Sequence, residues 1–222
     1  GIPVGVKDII DTADLPTQMG SPVFEGHRPA RNAPAVDRLL AAGAFVLGKT
    51  VTTEFAFMHP NKTRNPWNPA HSPGGSSSGS AAAVAAGMVP GAIGTQTNGS
   101  VIRPAAFCGV VGFKPTFGLI PSAGILQFSP ALDQLGVFTR SVADAALLAS
   151  VLAEPGSIAP EVPQAGAAPR IAFLRNFPWN AAEPAAAAQF EETLKRLAAA
   201  GAPLAELKLP PAFAEAQKIH RT

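Results

Sequence analysis

Apolar positions along this chain fall into short continuous runs and helical stripes that alternate. Ile2-Pro3-Val4-Gly5-Val6 predicts a buried strand ending at Lys7. Val36, Leu39 and Leu40 share one face of a helix predicted from Ala33 to Ala42, with Asn32 as its cap and Gly43 as its stop. A strand from Ala44 to Leu47 should follow. Ala81 to Ala86 is a helix former ended by Gly87, and Met88 to Ile93 is a further apolar run. Ser141 and Asp144 form a capping-box signal before a helix from Val142 to Ala153, with Leu147, Leu148, Val151 and Leu152 on its apolar face. Glu154 to Pro169, rich in Pro, Ala and Gly, reads as a surface connection. Beyond it come a strand from Ile171 to Leu174, a helix from Pro184 to Ala200 stopped by Gly201, a strand from Leu204 to Leu209, and a helix from Ala212 to His220. The order strand, helix, strand predicts a right-handed βαβ unit.

The alternation predicts an α/β fold: a mixed, largely parallel sheet flanked by helices on both faces. Residues 1–222 are expected to form a single domain, with a core over 1–153, a connecting segment over 154–169 and a βαβ tail over 170–222. At 222 residues and 47% hydrophobic, the chain is long and apolar enough to bury a core without staples. A single cysteine, Cys108, excludes an internal disulfide, fits a reducing compartment and favours a cytoplasmic setting. It reads as a small buried residue. The formal charge of +2 with no basic run gives no nucleic-acid footprint. No run of about 18 apolar residues suggests a membrane span.

Gly43 to Thr50 satisfies the phosphate-binding word of P-loop proteins. Its context argues against that use. Ala44 to Leu47 is itself an apolar strand, and the β-branched Val51-Thr52-Thr53 opens no helix for a phosphate to sit against.

The chemistry concentrates in two glycine-serine segments, Gly74-Gly75-Ser76-Ser77-Ser78-Gly79-Ser80 and Gly94-Thr95-Gln96-Thr97-Asn98-Gly99-Ser100, with Gly5-Val6-Lys7-Asp8 far upstream. By composition the first is a flexible linker, Ser80 an ordinary helix cap and Lys7 an exposed strand-end lysine. A linker does not usually run straight into a helix former and a further apolar run. The words and their spacing over residues 1–153 resemble the amidase signature family. That resemblance implies a catalytic triad of Lys7 as base, Ser76 as proton relay and Ser100 as nucleophile, with a cis peptide bond between Gly75 and Ser76. It also implies the amidase signature fold.

Amide hydrolysis by a serine needs a base to take its proton and donors for the oxyanion. The histidines His27, His59, His71 and His220 have no Gly-x-Ser-x-Gly elbow to serve. Lysine remains: desolvated at the end of a buried strand, Lys7 loses preference for its charged form. The Thr97-Asn98-Gly99 run before Ser100 can turn its N–H groups towards one point as an oxyanion hole. Commoner family wording has an acid where Gln96 stands and glycine where Asn98 stands. Gly75 and Ser77 flank the relay serine and are read with Arg103 as substrate-binding residues. Arg103 is either a structural ion-pair partner or a bidentate clamp for a substrate carboxylate. The residues require neither metal nor cofactor.

Three functions follow as expectations. One is an amidase releasing ammonia or an amine from a small carboxamide. Another is a glutaminase-type subunit passing ammonia to a partner. The last is a non-catalytic fragment that keeps the signature. The resemblance implies a longer protein, so the sequence reads as an internal piece truncated at both ends. A second copy as a homodimer, or a partner chain, would then cover the truncated faces.

Overall fold

Alternation along the first strand decides which side chains build the core and which turn away from it. A computed structural model of the chain describes residues 1–163, 166–175, 179–213, 215 and 219. In β1 (Pro3–Lys7), Val4 and Val6 enter a core cluster with Val36 and Leu39 of α1 (Pro34–Ala41). Gly5 and Lys7, one residue out of phase, turn to the other face. A Cβ at Gly5 would lie 2.8 Å from Thr50 Cγ2 and 3.3 Å from Ala92 Cβ, so the strands can close there only around glycine.

The remaining elements of the first unit are β2 (Phe45–Thr50), α2 (Ser78–Ala85), β3 (Gly91–Gln96), α3 (Ile102–Cys108), β4 (Val111–Phe113), β5 (Gln134–Thr139) and α4 (Val142–Leu152). They form a five-stranded sheet in the order β2-β1-β3-β5-β4. β1 runs parallel to β2 and β3, while β5 runs antiparallel to β3 and β4. The sheet is mixed and covered on both faces. Neighbouring residues show the division: Ile93 and Val137 pack with α1 and α4, whereas Ala92 and Phe138 pack with α2 and α3. Val137 and Phe138 are fully buried, each worth about 1.5–3 kcal/mol in removed apolar surface.

Chain direction gathers functional groups at one edge. Lys7 ends β1, Thr50 ends β2 and Gln96 ends β3, while Gln134 begins the antiparallel β5 opposite Gln96. Open α/β sheets bind ligands outside such carboxyl ends.

Several local expectations are corrected. Asn32 does not cap α1: its Oδ1 accepts from Ala13 N–H at 2.7 Å and its amide donates to Asp37 at 2.8 Å. Ala33 occupies the cap position, and Pro34 starts the helix with its backbone angle already set. Leu40 and Leu147, expected on apolar faces, are exposed, because smaller residues such as Ala35, Ala145 and Ala149 take the buried positions. β2 extends to Thr50, since pairing of Val6 with Lys49 and Lys7 with Thr50 continues the parallel ladder. The P-loop word is therefore strand where a phosphate loop would be needed. The capping box at Ser141 forms as expected, with Asp144 N–H donating to Ser141 Oγ at 3.1 Å.

The described chain divides into compact units at Gly1–Val162 and Pro163–Thr222, a boundary inside the expected connecting segment. In the second unit β6 (Ile171–Phe173) pairs in parallel with β7 (Leu204–Glu206), and α5 (Pro184–Ala199) lies between them in sequence. Arg175 bonds both oxygens of Glu191, at 2.8 and 2.7 Å, and Glu206 at 2.7 Å. Most of the helix expected from Ala212 to His220, and His220 itself, lies outside the described residues. Among those described, no helix is long and apolar enough to cross a membrane.

Candidate active site

The first glycine-serine segment is a buried tier rather than a linker. Ser76, Ser77, Ser78 and Ser80 are all buried. α2 starts inside the segment, at Ser78, and its serines bond to backbone carbonyls within β3 and just beyond β2. Ser78 donates to Val51 O at 3.2 Å and Ser80 to Ile93 O at 3.0 Å, so Ser80 works inside the helix rather than as its cap. A Cβ at Gly79 would sit 2.2 Å from Val51 N, so the helix can approach that backbone only as glycine. The peptide bond between Gly75 and Ser76 is cis.

Lys7 is wholly buried and donates to Ser76 Oγ at 2.7 Å and to Thr95 Oγ1 at 2.9 Å. Burial lowers its pKa from 10.5 to about 7, against the charge of Asp133, which raises it. Near neutral pH a large share of Lys7 is therefore neutral and able to take a proton. Ser76 is fixed from its other side too, its carbonyl accepting from Thr53 N–H at 3.1 Å.

Ser100 follows β3 in a short turn before α3 and is 7% exposed. Among the described residues no hydrogen bond joins its hydroxyl to Lys7 or Ser76. The turn from Thr97 to Gly99 is held from both ends. Gln96 Oε1 accepts from Val101 N–H at 2.9 Å and Ile102 N–H at 3.0 Å, while Thr97 Oγ1 donates to Asp133 Oδ1 at 2.5 Å. Neither Asn98 nor Gly99 has a positive φ, so asparagine fits at 98 without the left-handed backbone that would favour glycine.

Ser77 and Arg103 each donate to a backbone carbonyl, one near the end of β3 and the other beside Ser76. Ser77 is fully buried, and its hydroxyl donates to Thr95 O at 3.2 Å. Arg103 is exposed, and its Nε donates to the carbonyl of Gly75 at 3.1 Å. No ion pair reaches Arg103 among the described residues. The loop from Pro60 to Pro73 is pinned by Asn65 donating to Phe107 O at 2.8 Å and Trp67 Nε1 to Cys108 O at 2.7 Å. It walls a cavity of about 430 Å³ that includes Arg64, His71, Gly74 and Ser78, on either side of Ser76. Lys7, Ser76 and Ser100 do not line that cavity. Cys108 is buried, with its thiol pushed up to about 11 by burial, the opposite of an activated nucleophile.

Reading the sequence missed Thr95, Gln96, Thr53 and Asp133 as parts of this constellation. It also missed the pair between Lys49 and Asp8, at 3.4 Å, beside the lysine strand. Strand register was the signal for Lys49, because Val6 pairs with it. Nothing local pointed to Asp133. Among the described residues, no group of three or more His, Cys, Asp or Glu side chains is placed to hold a metal ion.

Known proteins resemble this chain in both sequence and fold. Residues 1–220 match the family model described as Amidase. The chain is similar to the A subunit of the glutamyl-tRNA(Gln) amidotransferase of Chloroflexus aggregans, 41% identical over 95% of this chain and 47% of that protein. The crystal structure of the corresponding A subunit from Thermotoga maritima superposes with a TM-score of 0.84 at 38% identity, covering 94% of this chain and 50% of that one. A peptide amidase from Stenotrophomonas maltophilia gives a TM-score of 0.81 at 36% identity, covering 97% and 49%. The chain thus spans about half the length of the relatives it matches.

Proposed function

This chain belongs to the amidase family, and on that premise we propose that it cleaves a carboxamide C–N bond through a serine acyl-enzyme. The observation that carries the reading is the 2.7 Å hydrogen bond between buried Lys7 and Ser76, with the lysine pKa brought to about 7.

Ser100 Oγ attacks the carbonyl carbon, and its proton passes to Ser76 as Ser76 yields its own to neutral Lys7. The N–H groups of Thr97, Asn98 and Gly99 hold the developing oxyanion. Collapse breaks the C–N bond, and the proton returns along the same path to the leaving nitrogen. Water then attacks the acyl-enzyme, with Lys7 and Ser76 again taking its proton, and the carboxylic acid is released. The backbone of Gly75 and Ser77 borders the reacting carbonyl. Arg103, anchored to Gly75 by Nε, presents its outer N–H groups to a carboxylate on the substrate, so small acidic amides are favoured. No metal or cofactor takes part. That one family model spans residues 1–220 supports both units as parts of a single domain. Its setting is cytoplasmic.

A second reading is favoured by the relatives named as amidotransferase A subunits. There the amide is glutamine, and the ammonia passes to a partner chain. Ammonia release from glutamine and from a panel of small primary carboxamides, compared with Ser100→Ala, tests both. Activity lost in Ser100→Ala supports the acyl-enzyme, and glutamine preference selects the second reading. Equal release by Ser100→Ala contradicts both.

A further inference from the structure

The turn proposed to hold the oxyanion is tied to a carboxylate 36 residues away in the chain. Thr97 Oγ1 donates to Asp133 Oδ1 at 2.5 Å, and Asp133 Oδ2 accepts from the backbone N–H groups of Phe128 at 2.5 Å and Ser129 at 2.7 Å. Three donors thus converge on one carboxylate. Asp133 immediately precedes β5, whose first residue Gln134 pairs with Gln96 at the end of β3. The link therefore joins the turn to the loop before β5, at the sheet edge where Lys7 ends β1.

Other charges near Lys7 are occupied elsewhere. Asp8, the next residue, faces Lys49 of β2 at 3.4 Å. Burial raises the pKa of Asp11, with Lys49 and His27 opposing that rise. Arg103 of α3 is exposed and bonded to Gly75 O. Ser76 and Thr95, which the lysine bonds, are uncharged.

We infer that Asp133 is a positioning residue of this site, acting through Thr97 on the oxyanion turn and through its charge on the proton held by Lys7. The inference rests on Lys7 being the base. The charge of Asp133 acts against burial at Lys7, keeping the neutral amine basic enough to draw the proton from Ser76. Its hydrogen bond acts separately, holding the first peptide of the turn in place.

Two variants separate these effects. Asp133→Asn keeps an acceptor for Thr97 and removes the charge; Thr97→Val keeps the charge and removes the bond. The readout is the rate of serine labelling by a fluorophosphonate from about pH 5 to about pH 10, on protein shown to be folded by circular dichroism. Removing a negative charge favours the neutral amine, so Asp133→Asn should move the acid limb to lower pH, by up to about one unit. Thr97→Val should leave that midpoint in place and lower the plateau by about tenfold. An acid limb in Asp133→Asn that overlays that of the unaltered protein overturns the inference while leaving Lys7 as base. An unaltered protein with no acid limb overturns both. Should Asp133→Asn not fold, Thr97→Val decides: an undiminished plateau contradicts the inference.

Discussion

Lys7 Nζ lies 2.7 Å from Ser76 Oγ, although 69 residues separate them in the chain. The contact exists because strand alternation turns Lys7 away from the face that Val4 and Val6 bury, and because the segment entering α2 crosses the end of β1. Burial of that lysine among hydroxyls, with no carboxylate in hydrogen-bonding contact among the described residues, is what suits it to the proposed role of base.

The pH dependence follows from that burial. Below about pH 7 Lys7 holds its proton, so turnover should rise about tenfold per pH unit on the acid side and level off above pH 7. Stability carries the same signature. The folded pKa lies below the ordinary 10.5, so between about 7 and 10.5 the unfolded chain binds more protons and stability rises with pH. Lys7→Met should abolish the acid limb with the activity and remove part of the stability rise. A rate that is flat from about pH 5 to about pH 8, measured on the folded chain, argues against lysine as the base.

Ser76→Ala cuts the relay but leaves the turn from Thr97 to Gly99 intact. The rate should fall by about 10³-fold while remaining above that of Ser100→Ala, because oxyanion donors and binding still act. Steady-state turnover of one amide by both variants checks this, and unchanged activity in Ser76→Ala contradicts the relay.

Gln96 supports the turn by accepting from two N–H groups at the start of α3. Gln96→Leu should cost about 1–3 kcal/mol in urea denaturation by stranding those buried donors, whereas Gln96→Glu keeps an acceptor there and should be milder. Equal losses would show that the bonds to Val101 and Ile102 are not what the residue contributes.

Arg103→Lys should damage turnover of acidic amides about tenfold more than that of neutral ones, since lysine cannot reproduce a bidentate guanidinium. Its contact with Gly75 O is lost for both substrates alike, so the difference reports the substrate carboxylate alone. Equal losses would assign Arg103 to supporting the Gly75 peptide only.

The fold was legible wherever local pattern decides structure. Val4 and Val6 announce a buried strand, and Ser141 with Asp144 announces the start of α4. The proposed triad rests on spaced words rather than on any physical signal in one place. What escaped were residues whose role depends on which strands become neighbours. Asp133 meets Thr97 only because β5 pairs antiparallel with β3, and Lys49 meets Asp8 only because β2 pairs with β1. Asn32 and Leu147 were misplaced for a different reason. A helical stripe gives the direction of a buried face but not its width, and a polar residue before a helix has other donors to satisfy.

The most direct test of the account is the intact mass of this chain after exposure to a serine-directed fluorophosphonate, with Ser100→Ala beside it. A single adduct that disappears in Ser100→Ala is the predicted result, showing that Lys7, Ser76 and Ser100 work as one unit in these 222 residues. No adduct on a folded chain, or one that persists in Ser100→Ala, would contradict it.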